Sequence, residues 1–228
     1  VPFLAEKPPA PDLATHDELI ETVGTLPHVI AYNRRHAPYI LEAAAWMDGR
    51  EIQSVTAEFT RRRRFDDDFG ETAVHPLDAA RFLSRDEWTD AKVEAVPAGR
   101  VTNWFVDART SAGARVSLHI QPDTASATER YAIRSADRSA VVYFPQPPTV
   151  YLPGWVELHE NNAIAVRKTA SDYGFADDDL PALAGILGEH RRFLDVLAGR
   201  AGSLSTLADT RGTQAVRDMF VKAGGKSL

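Results

Sequence analysis

Cysteine is absent from the 228 residues, which excludes disulfides, thiolate nucleophiles and cysteine-based zinc sites together. Positive charge is not in excess either: 26 Lys and Arg stand against 32 Asp and Glu, a formal net charge of −6. Without a basic field, nucleic acid is not an expected partner. No apolar run approaches the length of a membrane span, so no membrane partner is expected, and the expected compartment is cytoplasmic. The 14 glycines contain no Gly-x-Gly-x-x-Gly; Gly199 and Gly202 come nearest, in a polar link between two helical stretches. The turn that seats a dinucleotide pyrophosphate on a helix N-terminus is therefore missing from these residues. What is present, 44% hydrophobic and 25% charged residues, is enough for one large domain or two small ones with a real core.

The chain opens on a short apolar run, Val1-Pro2-Phe3-Leu4-Ala5, closed by Glu6-Lys7-Pro8. The run reads as a strand, and Pro8 and Pro9 stop it, since proline lacks an N–H and fixes φ. Thr15-His16-Asp17-Glu18 has the form of a capping box and predicts a helix over 16–23, followed by a strand over 28–32. Strand, helix and strand with such short links look like the last units of a parallel sheet. A helix over 38–47, a strand over 52–60 and a helix over 72–83 follow. Period-two runs then recur at 92–96, 102–109, 114–120, 130–133, 140–144 and 156–168. Asp177-Asp178-Asp179 heads one long helix with a leucine stripe from Leu180 to Leu197, and a last helix covers 206–221. The expected fold is α+β: an open, largely antiparallel sheet with helices on one face, preceded by the final β-α-β elements of a Rossmann-type domain.

Two clusters could carry chemistry. In the 72–83 helix, Glu71, His75 and Asp78 fall one turn apart and share a face, and a histidine between two carboxylates suits general acid/base work. The spacing matches no closed zinc pattern, so no metal is expected. At the end of the 28–32 strand, Tyr32 and Asn33-Arg34-Arg35 stand where open α/β sheets bind ligands, and the arginines could grip an anionic group. Arg61-Arg62-Arg63-Arg64 followed by Asp66-Asp67-Asp68 reads as a solvated charged loop.

In this order and spacing, Glu6-Lys7-Pro8, the short helix, Ala31-Tyr32-Asn33-Arg34-Arg35-His36-Ala37-Pro38 and Val74-His75-Pro76-Leu77-Asp78 resemble the Gfo/Idh/MocA oxidoreductases. The Phe193 helix and Thr206-Leu207-Ala208-Asp209 resemble that family's tail. The resemblance runs along the whole chain, but only to the family's back two-thirds. It implies an NAD(P)-dependent dehydrogenase of a sugar, sugar-nucleotide or polyol. Lys7 would lie beside the nicotinamide and the substrate, with Glu6 and Pro8 at the cofactor, and His75 would be the partner in proton transfer. Glu71, Asp78, Tyr32, Arg34 and Arg35 would bind substrate. Glu71 departs from the family's usual Asp at that place. Residues 1–34 would be the remnant of a dinucleotide-binding domain and 35–228 the substrate domain. The missing part would have been trimmed, disordered or split off, so NAD or NADP is expected for the full-length protein and no cofactor for this chain alone. The family's sheet makes its subunit contact, so a homo-oligomer through the antiparallel sheet is expected. A stand-alone binding relative without redox activity, and a cofactor-free proton-transfer enzyme, are the alternative readings.

Overall fold

A computed structural model of the chain describes residues 1–65, 69–146 and 153–223. Strands β1 (Phe3–Ala5) and β2 (His28–Ile30) pair in parallel, Leu4 opposite Val29, with helix α1 (Leu13–Val23) crossing between them. The helix starts three residues before the expected place. Asp12, not Thr15, is its cap, because the Asp12 carboxylate accepts from the Thr15 N–H at 2.8 Å. Strand β2 also ends early. Residues Asn33–His36 form one turn of 3₁₀ helix, and Pro38 then starts helix α2 (Pro38–Trp46).

Strand β3 (Ser54–Thr60) and helix α3 (Phe69–Ser84) lead into β4 (Lys92–Ala98), β5 (Val101–Arg109), β6 (Arg115–Gln121), β7 (Thr128–Arg134), β8 (Arg138–Tyr143), β9 (Trp155–Glu160) and β10 (Ala163–Lys168). Eight of these strands make one sheet in the order β10-β9-β8-β7-β3-β6-β5-β4. Only the β3–β6 pair is parallel. The alternation read from the sequence sorts the two faces. Val55, Ala57 and Phe59 of β3 and Val116, Leu118 and Ile120 of β6 are buried beneath the helices, each large side chain contributing about 1.5–3 kcal/mol. The other face of the sheet carries Glu58, Phe105, His119, Arg130, Tyr143 and Trp155 in one cross-strand row.

The expected long helix after Asp177 is instead two, α4 (Leu180–Leu183) and α5 (Ile186–Leu197), with Asp179 capping the first. Gly185 causes the break. Its φ is +87°, and a Cβ there would meet the Asn33 carbonyl oxygen and the Ala37 nitrogen at impossibly short range. The leucine stripe is broken with it: Leu183 is buried while Leu194 and Leu197 are exposed. Helix α6 (Leu207–Lys222), capped by Thr206 and Asp209, closes the chain and packs on α1 and α3.

Candidate functional site

The 3₁₀ turn organises the site, because its four consecutive side chains or backbones lock onto four different elements. Asn33 Nδ2 donates to the Ala184 carbonyl at 2.7 Å, fixing α4. Arg34 reaches the sheet, with Nε 3.1 Å from Glu129 Oε1 and Nη2 3.3 Å from Oε2. Arg35 turns the opposite way and grips Asp78 on α3 with both prongs, at 2.7 and 2.6 Å. His36 packs against Gly188, where a Cβ would come within 2.6 Å of the His36 carbonyl oxygen.

These bonds divide the expected site residues into two groups. Asp78 and Arg35 are buried, 0% and 4% exposed, and Asp78 also accepts from Thr213 Oγ1 at 2.8 Å while Arg35 donates to the Leu204 carbonyl at 2.6 Å. The pair therefore ties the 3₁₀ turn to α3 and α6. Tyr32 belongs with it: the ring is buried beside Arg35, and its hydroxyl has no hydrogen-bond partner among the described residues. Burial, helped by Asp78, pushes that phenol's pKa up. Asp78 is committed to Arg35 and Thr213, and the Glu71 side chain lies outside the described residues.

His75 has different surroundings. It is half-buried, and its Nδ1 has no hydrogen-bond partner among the described residues. Burial drives its pKa well below the ordinary histidine value, and the positive charges of Arg34, Lys7 and Arg61 push the same way. Lys7, half-buried in the turn after β1, is one of the cations that act on His75. Pro8 follows through a cis peptide bond, and Glu6 is exposed.

A charge network that the sequence reading did not single out joins the 3₁₀ turn, β7 and the residue after β3. Glu129 on β7 is 2% exposed and receives Arg34, Arg61 Nη2 at 2.8 Å and the Tyr131 hydroxyl at 2.7 Å. Burial alone would raise its pKa, but the two guanidiniums hold it at about 2. Arg61 corrects the reading of 61–64 as a solvated loop. It is buried, lies 3.6 Å over the Phe59 ring and donates to Gln146 Oε1 at 3.1 Å, while Arg62 and Arg63 are exposed as expected. Among the described residues no group of three or more metal-ligating side chains occurs, and no helix is long and apolar enough to cross a membrane.

No protein-family model matches the chain, and no curated protein is significantly similar to it in sequence. Solved structures do resemble it. A dehydrogenase (MviM) from Clostridium difficile superposes with a TM-score of 0.77 at 16% identity, over 96% of this chain and 70% of its own. UDP-N-acetylglucosamine 3-dehydrogenase GnnA from Acidithiobacillus ferrooxidans gives 0.75 at 20% identity, over 96% and 69%. KijD10, a 3-ketoreductase from Actinomadura kijaniata in complex with NADP and TDP-benzene, gives 0.66 at 21% identity, over 97% and 70%. At such identities the likeness is one of fold. The chain has the α+β fold found in these dehydrogenases and a ketoreductase, and it spans about 70% of their length.

Proposed function

We propose that this chain is the substrate-binding and self-associating part of an NAD(P)-dependent oxidoreductase of the Gfo/Idh/MocA kind, acting on a hydroxyl or carbonyl of a sugar, sugar-nucleotide or polyol. The observation that supports the reading is a half-buried His75 whose pKa burial pushes well below the ordinary histidine value, the Lys7 charge acting in the same direction, in the fold shared with dehydrogenases. Oxidising C–OH to C=O removes a hydride and a proton. A bound nicotinamide supplies the hydride acceptor; the proton needs a base. His75 has a ring nitrogen to accept it, and the Lys7 ammonium favours the alkoxide character that develops on the substrate oxygen. Arg34, anchored on Glu129 and one of the charges acting on His75, is the substrate-binding candidate retained from the 3₁₀ turn.

In this reading residues 1–34 close a dinucleotide-binding domain and 35–228 form the substrate domain. In this reading Glu6, Lys7 and Pro8 would meet only the reactive end of the cofactor, because the sequence holds no glycine-rich turn for a pyrophosphate. Calorimetry of the 228-residue chain with NADH and NADPH is therefore expected to show no micromolar binding. Micromolar affinity for either would contradict the assignment of the pyrophosphate site to residues outside the chain.

The open sheet face is the proposed self-association surface. It carries Tyr143 and Trp155 stacked at 4.2 Å, with Arg130 and Arg167 over their rings. Aromatic and Arg side chains of this kind are enriched in interfaces. Light scattering at micromolar concentration should report a mass at least twice the monomer's 25.1 kDa. A single species at the monomer mass would refute it.

A further inference from the structure

We propose that Arg34 binds an anionic group of the substrate, a carboxylate or a phosphate, and that Arg61 supplies the positive charge that Glu129 would otherwise cancel. The inference rests on the reading of this chain as a substrate-binding part. It narrows the substrate from any sugar or polyol to an acidic one: a sugar acid, a sugar phosphate or a sugar nucleotide. Arg34 is the contact, and Arg61 and Glu129 act through it.

Arg34 has donors to give. Its Nε and Nη2 lie side-on against Glu129 at 3.1 and 3.3 Å, and Nη1 donates to Asn33 Oδ1 at 3.2 Å. These bonds engage three of the five N–H groups of a guanidinium and leave one on each terminal nitrogen with no acceptor among the described residues. Donors on the two terminal nitrogens form the fork that takes a carboxylate or a phosphate bidentately. The side chain is 14% exposed, so it is not sealed off from a ligand. It is also held in place. The Phe144 ring lies 4.9 Å from the guanidinium carbon, and Asn33 is itself tied to the Ala184 carbonyl at 2.7 Å.

The charges in the cluster do not balance. Glu129 faces both Arg34 and Arg61, and its two oxygens are filled by those guanidiniums and the Tyr131 hydroxyl. One fully buried anion therefore stands against two cations, and the Arg61 side chain is only 8% exposed. Arg61 is fixed where it is, with Nη1 on the Thr60 carbonyl at 2.9 Å and on Gln146 Oε1 at 3.1 Å. Asp78, the buried carboxylate of α3, is taken by Arg35. Charges this poorly solvated are ordinarily paired, so the surplus cation and the two unused donors point to the same ligand. A neutral hydroxyl would meet the donors and leave the charge; an anion meets both.

The test is an NMR titration of the Arg34 Nε–H signal in the full 228-residue chain, assigned with Arg34→Lys and run at one ionic strength. The probes are D-glucuronate, D-glucose 6-phosphate and neutral D-glucose. At least one anion should move the signal saturably and bind at least about tenfold more tightly than D-glucose. A response to the carboxylate alone assigns a sugar acid, to the phosphate alone a sugar phosphate or nucleotide, and to both the anionic group without its source. Arg61→Met leaves Arg34 on Glu129 but balances the pair, so anion affinity should fall at least about tenfold, whereas Arg61→Lys keeps the charge and should stay within about threefold of wild type. A merely structural Arg61 would change Tm in both variants and the affinity in neither. If Arg61→Met does not fold, the wild-type titration decides by itself. Equal binding of D-glucose, or no response to either anion, overturns the proposal. No redox step enters the measurement, so its failure leaves the dehydrogenase reading to its own rate test, and failure of that reading leaves anion binding standing.

Discussion

Asp78→Asn is expected to lower the unfolding free energy by about 3–5 kcal/mol, the usual cost of leaving one partner of a buried ion pair uncompensated. The side chain is 0% exposed and takes both prongs of Arg35 as well as the Thr213 hydroxyl. Asparagine keeps the shape but strands the Arg35 guanidinium, 4% exposed, without its counter-charge. Because Arg35 also donates to the Leu204 carbonyl, the loss reaches the entry to α6. Urea denaturation followed by circular dichroism checks this. A second variant, Arg35→Met/Asp78→Leu, should lose less than the sum of the two single changes, since no charge is then left buried alone. A loss under about 1 kcal/mol in Asp78→Asn would mean that the pair does not hold the 3₁₀ turn to α3 and α6.

That pair also shows where the sequence was and was not legible. The spacing of His75 and Asp78 put them on the same side of a helix, correctly as far as the helix goes, but not which partner each would meet. Four neighbours in sequence, Asn33 to His36, fan out to α4, the sheet, α3 and α5. Such a fan is a property of the tertiary packing, with no periodic signal. The sheet was more legible because period-two alternation is imposed by the pleat itself. The same alternation carried a clue to the missed network: Glu129 is in phase with the buried Tyr131 and Ile133, and Arg61 continues the buried phase of Val55, Ala57 and Phe59. A charge in the buried phase of a strand signals a buried partner. The Asp12 cap and the Gly185 break were visible as residues but ambiguous as positions, since Thr15 offered a competing cap and leucines run on both sides of Gly185.

The largest functional effect is expected at Lys7 and His75. In an enzyme that carries this chain behind a dinucleotide-binding domain, Lys7→Ala and His75→Ala should each lower kcat by at least about two orders of magnitude, the range expected when a general acid or base is lost. The reasons differ. Burial and the positive charges of Arg34, Lys7 and Arg61 push the His75 pKa well below the ordinary histidine value. Lys7 supplies part of that field and would contact the substrate oxygen. Glu71→Gln should matter less, since it removes a charge without removing either proton-transfer group. KM should change less than kcat in both alanine variants if the interactions are made chiefly in the transition state.

The most direct test of the account is the rate of substrate-dependent NAD(P)H formation by that enzyme with His75→Ala, set beside the unmodified protein at the same pH. The account predicts a fall in kcat of at least about a hundredfold in a variant that still folds and still binds the cofactor. A kcat near that of the unmodified enzyme would contradict it.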